Sequence, residues 1–118
     1  MPFFKVLFSF CLTSQVLAMD LNCEASRQKP NQKLEQIHIA LIESSPRGLK
    51  FSGLIEEFKF DAEWDLRLDS LYVKVLQNQK TLLFATLRVP TELHNDSYTE
   101  VYLSEGSRLA VSCTMKFK

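Results

Sequence analysis

Arg108-Leu109-Ala110-Val111-Ser112-Cys113-Thr114-Met115-Lys116-Phe117 is the stretch that decides the fold. Leu109, Val111, Cys113, Met115 and Phe117 hold the odd positions; Arg108, Ala110, Ser112, Thr114 and Lys116 hold the even ones. A period of two lays all five apolar side chains on one face of an extended strand, whereas helical spacing would scatter them around the circumference. Cys113 therefore sits on the apolar face of a half-buried strand. Near the other end of the chain Leu21, Cys23 and Ala25 share one parity, so Cys23 points inward too.

The N-terminus explains why those two cysteines matter. Met1-Pro2-Phe3-Phe4-Lys5 carries one positive charge, Val6 to Leu12 is an apolar run, and Val16-Leu17-Ala18 ends on a small residue. That order is the one a secretory signal peptide shows. The run is also too short for a membrane span, which needs about twenty apolar residues. Cleavage is expected after Ala18, so that residues 1–18 leave and residues 19–118 form a single β domain, secreted or periplasmic. Cys11 departs with the leader. Cys23 and Cys113 remain as one pair, and in an oxidising compartment they are expected to form a disulfide. Bridging requires Cα atoms within about 7 Å, so the first and last strands should be neighbours or face one another.

Between the two cysteines the same alternation yields three hairpins. Ile37, Ile39 and Leu41 lead through Ser44-Ser45-Pro46-Arg47-Gly48 to Leu49 and Phe51. Leu71, Val73 and Val75 lead through Gln77-Asn78-Gln79-Lys80 to Leu83, Ala85 and Leu87, and Pro90 stops that strand because it has no N–H to donate. Thr99, Val101 and Leu103 turn through Glu105-Gly106-Ser107 into the last strand. Residues 58–69 read two ways. Phe58, Phe60, Ala62, Trp64, Leu66 and Leu68 alternate as a strand, and a short helix capped by Asp61 is the rival. The strand reading accounts for every position, and the parity switch between Leu68 and Leu71 then demands a turn or bulge at Asp69-Ser70. The fold class is all-β: a small antiparallel barrel or sandwich of seven to eight strands with a single disulfide.

Composition narrows the function. The chain has 118 residues, 14 basic and 14 acidic, for a net charge of zero, so no nucleic-acid-binding surface is advertised. Only 3 glycines are present, and no Gly-rich phosphate loop. There is no G-x-S-x-G elbow and no H-E-x-x-H, so no catalytic residue is nominated. Asp61-x-Glu63-x-Asp65 begins like a calcium loop, but Leu66 and Tyr72 stand where that loop needs Gly and Glu. No metal and no cofactor are expected. His38 lies opposite the apolar face of its strand, His94 in the loop from Pro90 to Ser97, and Asn95-Asp96-Ser97 matches the N-glycosylation pattern.

Two surfaces remain as candidates for a partner. Asp61, Glu63, Asp65 and Asp69 form an acidic stripe suited to a basic partner. Tyr98 and Tyr102 share a face with Glu100 and could anchor a partner, since aromatic residues dominate binding hot spots. The general plan of a small exported, disulfide-bearing β-barrel is shared by periplasmic lysozyme inhibitors, but no loop matches their enzyme-blocking signature. The expected function is a non-enzymatic module that binds a protein or an envelope component, with no membrane span in the mature chain. The alternative is a carrier of a small apolar ligand, held inside a barrel or between sheets.

Overall fold

The computed structural model describes residues 19–117, with side chains over 20–116; the signal-peptide expectation for residues 1–18 lies outside them. Eight strands follow one another: β1 (Met19–Gln28), β2 (Glu35–Ser45), β3 (Gly48–Ile55), β4 (Phe58–Asp65), β5 (Ser70–Gln77), β6 (Lys80–Arg88), β7 (Asp96–Tyr102) and β8 (Arg108–Phe117). Every ladder is antiparallel, and the sheet order is β6-β5-β4-β3-β2-β1-β8-β7. Around the circumference this is simple chain order, because β8 pairs with β1 and β7 lies beside β6. The protein is an up-and-down barrel, nearly closed, with a seam between β6 and β7 that no ladder crosses among the described residues. The Ser97 hydroxyl donates to the Arg88 carbonyl and pins one end of that seam.

β1 and β8 run side by side over ten paired positions, with Cys23 directly opposite Cys113. The expected disulfide is formed there, both cysteines having no exposure. Alternation then fills the interior. Phe60 from β4, Ile39 from β2, Leu71, Val73 and Val75 from β5, and Leu109 and Val111 from β8 are all fully buried. Eight strands enclose an interior just wide enough for side chains to occupy. Each such aliphatic or aromatic side chain contributes about 1.5–3 kcal/mol by leaving water.

Strand wins over helix at residues 58–65, but not as far as Asp69. β4 ends at Asp65, whose Oδ1 accepts from the backbone N–H groups of Arg67 (3.0 Å) and Leu68 (3.2 Å) and so turns the chain. Asp69 completes the turn at φ 50° and accepts the Trp64 indole N–H at 3.3 Å. Leu68 is consequently 65% exposed, where the alternation placed it inside. The parity switch falls in this turn, as expected.

Two ladders carry an extra residue. The β2–β3 register jumps between Leu41 and Glu43, leaving Ile42 unpaired, and the β5–β6 register jumps so that Leu82 is skipped. A bulge of this kind re-aims side chains locally. Ile42 ends up outside at 65% exposure.

Candidate binding surfaces

The acidic stripe is only partly free. Asp61 and Glu63 do project from the outer face of β4, but Asp61 accepts the Ser52 hydroxyl at 2.7 Å and lies 3.8 Å from the Lys59 ammonium. Asp65 and Asp69 are used by the β4–β5 turn and by Trp64. What the structure brings beside Asp61 and Glu63 is a groove of about 260 Å³ on the outer wall, bordered by Ile42, Lys50, Lys59, Tyr72, Lys74 and Phe84. The ladders lay it out in rungs. Lys50, Glu63 and Tyr72 are opposite one another across β3, β4 and β5, and Asp61, Lys74 and Phe84 across β4, β5 and β6. The Tyr72 and Phe84 rings meet diagonally, centroids 6.2 Å apart and planes tilted by 32°. Phe84 is 60% exposed.

Sequence reasoning did not nominate Tyr72 or Phe84. The signal was available: with Leu83, Ala85 and Leu87 facing in, Phe84 is a large aromatic at a position reserved for polar side chains. Their neighbourhood, by contrast, depends on the β5–β6 register.

Tyr98 and Tyr102 lie where expected, both exposed on the outer face of β7. Both hydroxyls donate to Glu100, Tyr102 at 3.1 Å, and the Arg108 guanidinium stands 3.9 Å from the same carboxylate. Hydrogen bonding from Tyr98 is the main reason Glu100 is held below the usual carboxylate range. Donating that bond, together with partial burial, raises the Tyr98 hydroxyl above its ordinary value.

A third site lies at the barrel end formed by the β1–β2, β3–β4, β5–β6 and β7–β8 connections. Arg27 continues the inward parity of Leu21, Cys23 and Ala25, and its side chain is only 3% exposed. Its guanidinium sits 5.5 Å from the Phe58 ring centroid and pairs with Glu35 (2.9 Å), Glu56 (2.8 Å) and Glu57 (3.3 Å). Burial alone would lower its pKa; hydrogen bonds and charge from Glu56 and Glu35 outweigh that and raise it. The same hydrogen bond, with the charges of Arg27 and Lys29, lowers Glu56. The recess around this cluster, about 520 Å³, has Phe58, Leu82 and Leu103 on its walls.

The histidines take no part in these sites. His38 and His94 are exposed, and the Asn95 side chain accepts the Met115 backbone N–H at 2.9 Å, bracing the β6–β7 loop against β8. Among the described residues no group of three or more His, Cys, Asp or Glu is placed to hold a metal ion, and no helix is long and apolar enough to cross a membrane. Compared with protein-family models, with curated proteins and with solved structures, the chain shows no match.

Proposed function

We propose that this chain is an exported, non-enzymatic binding module that engages a protein or an envelope component through its outer wall. The observation that carries the reading is the groove on β2–β6, where the half-buried Tyr72 ring packs against the exposed Phe84 ring on the outer wall, beside the exposed Ile42. Exposed aromatics that pack on one another, ringed by charged groups, have the make-up of an interaction surface. Export supplies the oxidising compartment that the Cys23–Cys113 disulfide requires. The test is retention from periplasmic or extracellular extract by immobilised oxidised protein, run beside Phe84→Ala and Tyr102→Ala. A component held by the parent and released by Phe84→Ala supports the groove. Equal retention by all three proteins, or none by any, argues against an aromatic binding wall.

A carrier role has one observation in its favour, the recess beside Arg27, where Phe58, Leu82 and Leu103 stand among a mostly polar lining. Native mass spectrometry of freshly purified protein addresses it directly, because a carrier retains a bound apolar ligand. A spectrum showing only the bare chain would leave the outer wall as the working surface.

A further inference from the structure

We propose that the groove on the outer wall of β2–β6 binds a neutral saccharide, a short stretch of glycan whose sugar ring stacks on Tyr72 and Phe84. This rests on the reading above that the outer wall engages a partner, and adds the chemistry of what it holds. Ligand classes can be tested against the groove one by one. A purely apolar ligand would strip water from five charged side chains, Lys50, Lys59, Asp61, Glu63 and Lys74, and leave them without replacement hydrogen bonds. A small ion would find its charge already answered. Lys50 lies 3.3 Å from Glu43, Lys59 lies 3.8 Å from Asp61, and the ladder sets Lys74 opposite Asp61 and Lys50 opposite Glu63. Alternating signs on successive strands create little field at the centre of the groove. A nucleic-acid backbone would meet the same carboxylates. An added peptide strand cannot pair at the centre of the groove, since the backbones of β3, β4 and β5 are paired on both sides.

The ligand that suits the groove has a flat apolar face and a rim of hydroxyls. A pyranose ring has both. Its axial C–H bonds pack on aromatic faces, and the tilted Tyr72–Phe84 pair offers two such faces at an angle. Its hydroxyls can donate to Asp61 and Glu63 and accept from Lys50 and Lys74; strand spacing sets Glu63 about 5 Å from Lys50, and Asp61 the same distance from Lys74. The platform is also inexpensive to order, because aromatic side chains have only two torsions to fix.

The experiment titrates oxidised protein with soluble tetrasaccharides of β-1,4-linked glucose, α-1,4-linked glucose and β-1,4-linked N-acetylglucosamine, with tetragalacturonate as the charged comparison. Backbone amide NMR shifts are followed. Expected are saturable shifts at Ile42, Tyr72, Lys74 and Phe84 with at least one neutral sugar, and weaker binding of the uronate. Phe84→Ala should weaken that binding about tenfold and Phe84→Trp should retain it. Glu63→Gln, a second exposed change, should weaken it several-fold; unchanged dispersion of the amide spectrum certifies the fold of each variant. No saturable shift with any neutral tetrasaccharide overturns the proposal, as do shifts centred on Tyr98 and Tyr102 or binding indifferent to Phe84→Ala. If no sugar binds while Phe84→Ala still releases a captured protein, the ligand class falls and the binding-module reading stands.

Discussion

Breaking the Cys23–Cys113 bond should cost the protein a large part of its stability, and the cost should arise in the unfolded chain. The bond closes a loop with a sequence separation of 90. In the chain-entropy model such a loop contributes about 4.5 kcal/mol, against a total of about 5–15 kcal/mol for a domain of this size. The native side changes little. Cys23 and Cys113 face each other in the middle of a ladder that continues through Leu21–Met115 and Ala25–Val111, so two thiols can occupy the same pocket while β1 and β8 stay paired. Residual structure in the unfolded chain subtracts from the ideal figure, and a net loss of about 3–4 kcal/mol is expected. The assay is urea unfolding of oxidised protein beside protein reduced in denaturant and kept reduced. The midpoint should fall. The denaturant slope should rise, because a chain without the cross-link exposes more surface on unfolding. A reduced protein within about 1 kcal/mol of the oxidised one, at equal slope, would refute the reasoning; it would mean that the unfolded chain already holds its ends together.

Three further outcomes follow from particular residues. Asn78 and Gln79 both adopt positive φ, 49° and 71°, in the two-residue turn between β5 and β6. Gln79→Gly should therefore raise stability by about 0.5–1 kcal/mol in thermal melts. A Cβ on Gly48 would lie 2.3 Å from the Trp64 carbonyl oxygen, a backbone atom that cannot step aside. Gly48→Ala should cost about 2 kcal/mol or more, measured the same way, and a neutral result would show that the β3–β4 ladder gives easily. Glu56, held low first by the Arg27 hydrogen bond and then by charge, contributes stability above the ordinary carboxylate pKa and loses it as pH falls through its own lowered value. Unfolding midpoints should thus drop on acidification through that range, and Glu56→Gln should flatten the drop; identical profiles would remove the pair from the account.

Most of the barrel could be read from parity because one face of each strand is dry and the other wet. β1, β4, β5 and β8 each show a buried set at every second position, and the cysteine pair supplied the one long-range contact that closes β1 on β8. Legibility failed where local geometry overrides the period. At Ile42 and Leu82 a bulge shifts the register, and no spacing in the sequence marks the inserted residue. At Leu66–Asp69 hydrogen bonds accepted by the Asp65 and Asp69 side chains make a turn out of residues that keep strand alternation. The part that Asp65 and Asp69 of the acidic stripe play in that turn was hidden for the same reason. Arg27 was legible in principle, being the next inward position after Ala25, but an inward arginine is credible only beside the Glu56-Glu57 turn, and that proximity is tertiary.

The seam between β6 and β7 shows how the chain handles the edges that incomplete closure leaves. Unpaired strand edges invite pairing with other chains. The β6 segment Thr81-Leu82-Leu83-Phe84-Ala85-Thr86-Leu87 has the composition that most favours such pairing, uncharged and rich in apolar side chains. Lys80 and Arg88 bracket it, and Asp96 and Glu100 charge the facing strand oppositely. A second copy that laid its own β6 antiparallel on this edge, centred on Phe84, would set Lys80 against Arg88, like against like. The bulge at Leu82 interrupts the flat run that stacking requires, and the Ser97 hydroxyl ties the far end of the seam to Arg88. The Ser97–Arg88 hydrogen bond thus ties the two strands where the ladder is missing, while charge and the bulge guard the β6 edge against other chains. That arrangement lets Phe84 stay exposed on the outer wall without β6 becoming a template for aggregation.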